Sequence, residues 1–440
     1  MIATLDIAGI APGGEGFARH EGRVVFVPFT AAGDRVVAEV PETVGAAAPH
    51  ASVLEILAPG ADRVAPPCPH FGPAPDARCG GCEWLHVAYA AQLRAKERAL
   101  VETLRRVGRV EPGSYPLARI VASPSPVRYR ARAKFHHDRA AGRLVFFQRR
   151  SHRAVPVSGC LLLDPALDAL RAEVGPALVA ARLDVREVTL EWSRPDPGGA
   201  AYLRVAAITA AVRARAEALL AAVPRLRGVV LGADGAPDAI VGDPVLRLER
   251  RPGDPGGGLQ RSRPDVFQQA NRGANALLVA RAVELLRPDG TDVLELFCGA
   301  GNFTAALAAR AAGVAAVERQ GPSLDLARRD LEGRNVRFFA GDALALARAF
   351  GRERGPAARR FGAALLDPPR EGARGIGPAL RDLGVPRAAY VSCDPATLAR
   401  DVRECRDAGY EVAAVQPVDL FPQTHHVEAI VLLERRAAGQ

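Results

Sequence analysis

Residues 292–304 read DVLELFCGAGNFT. An apolar run ends in a turn built on two glycines, and a helix start follows. Gly299 and Gly301 allow backbone to approach a ligand closely, and the helix start behind them offers free N–H groups. A dinucleotide fingerprint would need a third glycine at 304, where Thr304 stands instead. Glu318 closes the next apolar run, where a carboxylate can accept from both hydroxyls of a ribose, and Asp342 follows the third. Together these residues describe a nucleoside pocket without a pyrophosphate cradle, which suits S-adenosylmethionine.

Working outward, ANALLVARAVELL predicts a helix, and VAAVE, VRFFA, AALLD and AAYVS predict buried strands. The tail EVAAVQPVDLFPQTHHVEAIVLLER predicts two last strands around a polar loop. Strands alternating with helices at these lengths make residues 266–440 a doubly wound α/β domain with a mostly parallel sheet. Residues 1–58 hold short alternating runs such as RVVFVPF between glycines, the pattern of a small β-barrel or sandwich. Residues 59–265 form a central α/β domain. It contains the Pro- and Cys-rich loop APPCPHFGPAPDARCGGCEW and a helix over 88–107. Its end, 249–265, is Gly- and Pro-rich and reads as a linker or a long hairpin turn.

Of 440 residues, 48% are hydrophobic and 24% charged, the balance of a soluble globular chain. No apolar run approaches a membrane span, and MIATLDIAGIAPGG has no basic start and carries Asp6, so neither an anchor nor a signal peptide is expected. Seven unevenly spaced cysteines without an export signal argue for thiols in metal binding or catalysis rather than for disulfides, and for the cytoplasm. Charge is uneven along the chain. Residues 1–58 carry three arginines against seven acids, whereas 90–160 carry sixteen Lys or Arg against four acids. That segment alone exceeds the whole chain's +9, the footprint of a polyanion-binding surface. Within it Arg128, Arg130, Arg132 and Lys134 fall at period two, so a strand would put all four on one face. Tyr129, Phe135, Phe146 and Phe147 alternate with these and with Arg149, Arg150 and Arg153, a composition suited to single-stranded RNA.

Three further stretches carry chemistry. LLDPPREG (365–372) puts Asp367 at the mouth of the fourth strand, facing a substrate base. Arg370 replaces the aromatic that amino-directed methyltransferases place after D/N-P-P, which argues against an exocyclic amine as target. YVSCDPATLARD (390–401) ends the fifth strand in Cys393. Alone that thiol reads as core packing, but ligands of open α/β sheets bind beyond this end of the strands. VDLFPQTHHVE (418–428) brings Glu428 to the start of the last apolar run, with His425 and His426 as polar loop residues. A thiol and a partly buried carboxylate above one sheet suit covalent and acid–base work.

Phe267, Gln269 and Asn271 (FxQxN), ELFCGAGNFT, LLDPPREG, YVSCDPATLARD and VDLFPQTHHVE occur in one order. The series resembles the RNA uridine-5-methyltransferases. The match covers 266–435, and the fold it implies is the class I S-adenosylmethionine methyltransferase fold. Upstream, residues 7–40 resemble a TRAM domain, an OB-like RNA-binding barrel, though here a net acidic one. Cys68, Cys79, Cys82 and Cys160 resemble the ligands of that family's 4Fe-4S cluster, with FGPAPDAR lengthening the loop before GGC. By residue type alone, zinc fits the four thiols equally well.

The resemblance implies methylation of carbon 5 of a uridine, with 23S ribosomal RNA as the expected substrate, tRNA as the alternative, and a monomeric enzyme. It makes Cys393 the nucleophile that adds to carbon 6 and Glu428 the base that removes the carbon-5 proton. The helix start after Cys393 is expected to favour its thiolate. Gln269, Phe297, Asn302, Glu318, Asp342 and Asp367 are expected around S-adenosylmethionine, with Asp367 also near the uracil. Asp394 stands where many relatives have asparagine. A non-catalytic RNA-binding or assembly factor is the reading from another class; the presence of both Cys393 and Glu428 argues against it, and metal content separates a zinc protein.

Overall fold

Residues 292–304 occupy the centre of a seven-stranded sheet. The computed structural model describes residues 1–42, 48–73, 78–250, 258–353, 355 and 358–436. The C-terminal part runs α1 (Arg272–Leu286), β1 (Asp292–Leu296), α2 (Thr304–Ala308), β2 (Gly313–Glu318), α3 (Gly321–Asp330), β3 (Val336–Ala340) and α4 (Ala343–Gly351). It continues with β4 (Ala363–Leu366), α5 (Ile376–Leu383), β5 (Arg387–Ser392), α6 (Pro395–Asp407), β6 (Tyr410–Val418) and β7 (Glu428–Arg435). The strand order is β3-β2-β1-β4-β5-β7-β6. The first five strands pair in parallel, and β7 inserts antiparallel between β5 and β6.

The central strands read as unbroken apolar runs because both faces of the sheet are covered. Leu294, Leu296, Leu366 and Tyr390 face a core shared with Ile376, Leu398 and Val402 of α5 and α6. Val293, Leu365, Val391 and Ile430 face the other side, against Leu278, Ala282 and Leu286 of α1. The helix Tyr89–Arg106 belongs to this architecture, since Leu100 and Leu104 are buried in the first of these cores. Beyond it the chain runs alongside β6, where Ala118 N–H donates to the Val415 carbonyl and Val121 N–H to that of Pro417, both at 3.0 Å.

The remaining central residues build a second seven-stranded sheet. Its middle is Arg132–Asp138, Glu187–Ser193, Gly198–Arg204 and Leu226–Gly232, with helices Pro165–Ala180 and Ala210–Ala222 packed against it. Residues 1–58 form two three-stranded sheets around Leu5, Val25, Val27 and Val36. The Gly- and Pro-rich end of the central region is a hairpin, Leu246–Glu249 paired with Leu259–Ser262. Residues 251–257 between these strands, like 74–77 of the lengthened cysteine loop, lie outside the described residues. None of the described helices is long and apolar enough to cross a membrane.

The period-two cation array is not what the sequence suggests. Only Arg132 and Lys134 of the four lie on a strand; Arg128 has a left-handed backbone, φ 53°, before it begins. Arg132 donates to the carbonyls of Val266 and Pro264, both at 2.6 Å, and pairs with buried Glu191, so it ties its strand to the segment that leads into α1. Arg130 lies over the Tyr129 ring, and Lys134 pairs with Glu187 at 2.7 Å. Arg149 is spent on Glu15 and Glu83. Tertiary partners inside the protein, invisible to strand periodicity, take most of these charges.

Candidate active site

All the chemistry-bearing turns leave the carboxyl ends of β1, β2, β4 and β5 on one side of the sheet. At β1, Phe297 takes φ 63°, a left-handed conformation that costs a non-glycine residue about 1–2 kcal/mol. Gly299 and Gly301 follow at φ 55° and 84°, as such a turn requires. Glu318, ending β2, accepts from Gly299 N–H at 3.0 Å and from Gln320 N–H at 2.7 Å, so the carboxylate and the glycine turn are locked together. Gly341 N–H donates to the Glu318 carbonyl, which places Asp342 beside it at the end of β3. Asp342 caps α4 by accepting from Ala345 N–H at 2.9 Å.

Not every expected cofactor residue turns toward this cleft. Asn302 exchanges both amide hydrogen bonds with Asn275 of α1, at 2.8 and 3.1 Å, and so serves to fasten α1 to the glycine turn. Gln269 is half-buried on the segment that enters α1, whose N-cap is Asn271. Asn271 accepts from Ala274 N–H and donates to Ser123 and to the Leu420 carbonyl.

Cys393 directly follows β5, and Asp394 caps α6, accepting from Ala396 and Thr397 N–H at 3.0 and 2.9 Å. Asp394 thus takes up the first free N–H groups of the helix. Burial pushes the Cys393 thiol up to about 11, nearby Glu428 and Asp367 add to the rise, and only Arg370, a hydrogen-bond donor to the sulfur, opposes it. The expectation of a thiolate favoured by the helix start is therefore reversed. Burial first, and then the neighbouring carboxyls, outweigh a helix end whose leading N–H groups are already capped.

Glu428 is buried and its Oε2 has no hydrogen-bond partner. Burial raises its carboxyl well above the ordinary range, the Asp367 charge raises it further, and Arg370 opposes both. Asp367 is likewise raised by burial. The structure thus brings three of the expected residues, Cys393, Asp367 and Glu428, together around Arg370.

Two residues beyond the expected set belong here. Arg370 acts electrostatically on the Cys393 thiol and on Glu428, although its sequence position only marks a missing aromatic. Glu295 sits inside β1, fully enclosed, with Thr304 beside its carboxyl as a hydrogen-bonding group that lowers its pKa. Burial pushes its carboxyl up to about 8, with Asp367 and Glu318 adding to the rise. An acid inside the apolar run VLELF is the sequence signal for it.

Cys68, Cys79, Cys82 and Cys160 also come near one another. Burial raises the Cys79 thiol to about 11 and raises Cys82 and Cys160 as well; Cys68 and Cys160 raise Cys79 further by their charge. Among the described residues no group of three or more His, Cys, Asp or Glu side chains is spaced to hold a metal ion.

Residues 259–436 match the family model described as tRNA (Uracil-5-)-methyltransferase. The chain is 36% identical to a 23S rRNA (uracil(1939)-C(5))-methyltransferase of Alkalilimnicola ehrlichii, over 98% of this chain and 96% of that protein. It is 35% identical to the enzyme of the same name from Thiobacillus denitrificans, over 99% of this chain and 100% of that protein. Among solved structures, a Pyrococcus abyssi tRNA (uracil-54, C5)-methyltransferase in complex with S-adenosyl-L-homocysteine superposes with a TM-score of 0.69 at 19% identity. That superposition covers 98% of this chain and 100% of that one.

Proposed function

The chain belongs to the RNA uracil-C5 methyltransferases and is an S-adenosylmethionine-dependent enzyme of that kind; from that premise we propose that it methylates a uridine of 23S ribosomal RNA through Cys393 and Glu428. The observation that carries the reading is the meeting of Cys393, Asp367, Arg370 and Glu428 above the sheet. Relatives matched over nearly their whole length and named for 23S rRNA favour the ribosomal substrate. The family model and the Pyrococcus enzyme carry tRNA in their names, which keeps tRNA as the second reading.

Carbon 5 of uracil is too weak a nucleophile to take a methyl group unaided. Addition of the Cys393 thiolate to carbon 6 makes the ring an enolate whose carbon 5 can attack. S-adenosylmethionine, when bound, supplies the sulfonium methyl. Glu428 then accepts the carbon-5 proton, the C–H electrons close the C5–C6 double bond, and sulfur leaves carbon 6 as thiolate. A base with a raised pKa is a stronger proton acceptor than an exposed glutamate. Asp367 and Glu428 compete for ionisation, and Arg370 stabilises both the thiolate and one carboxylate. The target nucleotide must leave any stack to reach this cleft.

The buried Glu295 carboxyl, together with Glu318, suits the methyl donor, which carries an ammonium, a sulfonium and ribose hydroxyls. Gln269, Phe297, Asp342 and Asp367 would complete its surroundings. Residues 1–58 are read as the TRAM module, 59–265 as the central domain and 266–440 as the catalytic domain. Cys68, Cys79, Cys82 and Cys160 would hold the 4Fe-4S cluster. The support for a shared site is that Cys68, Cys79 and Cys160 all lie near enough to Cys82 to raise its thiol.

The test is transfer of labelled methyl groups to unmodified 23S rRNA and, separately, to unmodified tRNA, with Cys393→Ala alongside and iron, sulfide and zinc assayed on the same protein. Label on carbon 5 of uridine in 23S rRNA alone, lost in the variant, supports the proposal. Label in tRNA alone moves the substrate to the second reading, and label persisting in Cys393→Ala refutes the nucleophile.

A further inference from the structure

Glu428 stands at the end of the loop 419–427, so the direction of its carboxyl depends on how that loop is held. The anchors come from a segment more than 300 residues away in sequence. Lys96 is wholly buried, and its ammonium donates to Asp419 Oδ1 at 2.6 Å and to the Phe421 carbonyl at 3.0 Å. Tyr89 donates to the other Asp419 oxygen at 2.8 Å. Gln92 and Gln423 lock reciprocally: Gln92 Nε2 donates to Gln423 Oε1 at 2.9 Å, and Gln423 N–H donates to Gln92 Oε1 at 3.0 Å. Glu83 grips the far end, accepting from His425 N–H at 3.0 Å with His425 Nδ1 2.5 Å away. The backbone N–H groups of Glu83 and Trp84 both donate to the Gln423 carbonyl, at 2.8 and 3.1 Å.

A loop needing only to be closed has no use for a buried ammonium, a reciprocal amide pair and a carboxylate clamp in seven residues. Such a density of fully satisfied buried polar groups fixes one conformation. The geometry points to Glu83, Gln92 and Lys96 as positioning residues for proton removal: they hold the loop so that Glu428 faces carbon 5 of a uracil joined to Cys393. The inference rests on the proposed role of Glu428 as base. Because Glu83 and Trp84 directly follow Cys82, the same strap fastens the cysteine site to the catalytic loop.

Addition of Cys393 and methyl transfer precede proton removal and do not need Glu428 in place. A misdirected Glu428 therefore leaves the methylated nucleotide attached to the enzyme. The experiment compares Glu83→Ala, Glu83→Gln and Gln92→Leu with the parent enzyme and with Glu428→Gln. For each, kcat and KM for RNA are measured, along with the steady-state fraction of covalent protein–RNA adduct on denaturing gels. The rate of adduct formation with 5-fluorouridine RNA, which has no carbon-5 proton to remove, is measured alongside. A misplacement of order 1 Å can cost on the order of a hundredfold, and losing one clamp of several is expected to lower kcat about tenfold. KM and 5-fluorouridine trapping should stay within about twofold while adduct with normal RNA accumulates. Glu83→Gln, which keeps an acceptor for the His425 N–H groups, should recover most of kcat. Unchanged kcat in both Glu83→Ala and Gln92→Leu, or a fall matched by slower 5-fluorouridine trapping without adduct, would overturn the inference. If Glu428→Gln itself fails to accumulate adduct, the role of Glu428 is what fails.

Discussion

The raised Cys393 thiol makes covalent addition strongly dependent on pH. With its pKa at about 11, roughly one thiol in a thousand is ionised at pH 8, and each unit of pH multiplies that fraction about tenfold. The sign follows from the cause: burial and the Glu428 and Asp367 charges disfavour the thiolate, so reactivity increases as protons are withdrawn. The assay is single-turnover formation of adduct with 5-fluorouridine RNA, which isolates the addition step. The logarithm of the rate should climb with a slope near +1 between about pH 6.5 and 9. Arg370 favours ionisation of the sulfur against these influences, so Arg370→Met should slow addition at every pH in that window. A hydrogen bond to a charged group contributes about 1.5–3 kcal/mol, and the exposure of Arg370 to solvent reduces this to roughly a three- to tenfold effect. A flat profile over that window would show that the thiolate is already formed, and the electrostatic account of the site would be wrong. Faster addition by Arg370→Met would equally refute the role given to the guanidinium.

Lys96→Met leaves Asp419 buried without its ammonium and should cost about 3–5 kcal/mol in urea unfolding, with Asp419→Asn in the same chain restoring a large part of it. Arg128→Ala should weaken RNA binding evenly across sequences and lower the salt slope by about one, whereas Arg132→Ala should lower the unfolding midpoint and leave that slope unchanged. Burial keeps Glu428, Asp367 and Glu295 protonated above the ordinary carboxyl range, so a bound cationic methyl donor should lower their pKa values and release protons. Calorimetry of donor binding near pH 7 in buffers of different ionisation enthalpy should show net release, and uptake or no exchange would contradict it.

The catalytic sheet was legible because parallel strands buried on both faces must be apolar throughout, and VLEL, AALL and AAYV have almost no alternative use. Helix α3 is harder to see, since GPSLDLARRD begins with Gly-Pro and buries only Ser323, Leu324, Leu326 and Ala327. Within the site, Cys393, Glu428 and Asp367 follow from their places at strand ends. What those groups do to one another does not follow, because it depends on which strand ends become neighbours. Adjacency to α6 suggests an acidic thiol, while burial in the assembled sheet, with two carboxyls beside the sulfur, reverses the sign. Asn302 and Arg132 show the same limit, each belonging to a suggestive motif yet occupied by a partner distant in sequence.

The resting site is kept unreactive by the charges that later drive it. Burial favours the neutral forms of Glu428, Asp367 and the Cys393 thiol alike, so in the proposed reaction an enzyme without substrates carries a poor nucleophile and a protonated base. In that reaction a cationic methyl donor would favour the ionised carboxyls, and Arg370, beside the sulfur, would stabilise the thiolate. Each ligand thus supplies the charge that the enclosed groups lack. Such an arrangement works only if Glu428 cannot swing away to find solvent, because a solvated glutamate would ionise at an ordinary pKa and be a weaker base. The buried lysine, the glutamine pair and the Glu83 clamp on its loop close that escape. Proton affinity at the base and rigidity of the loop are therefore a single requirement of the fold.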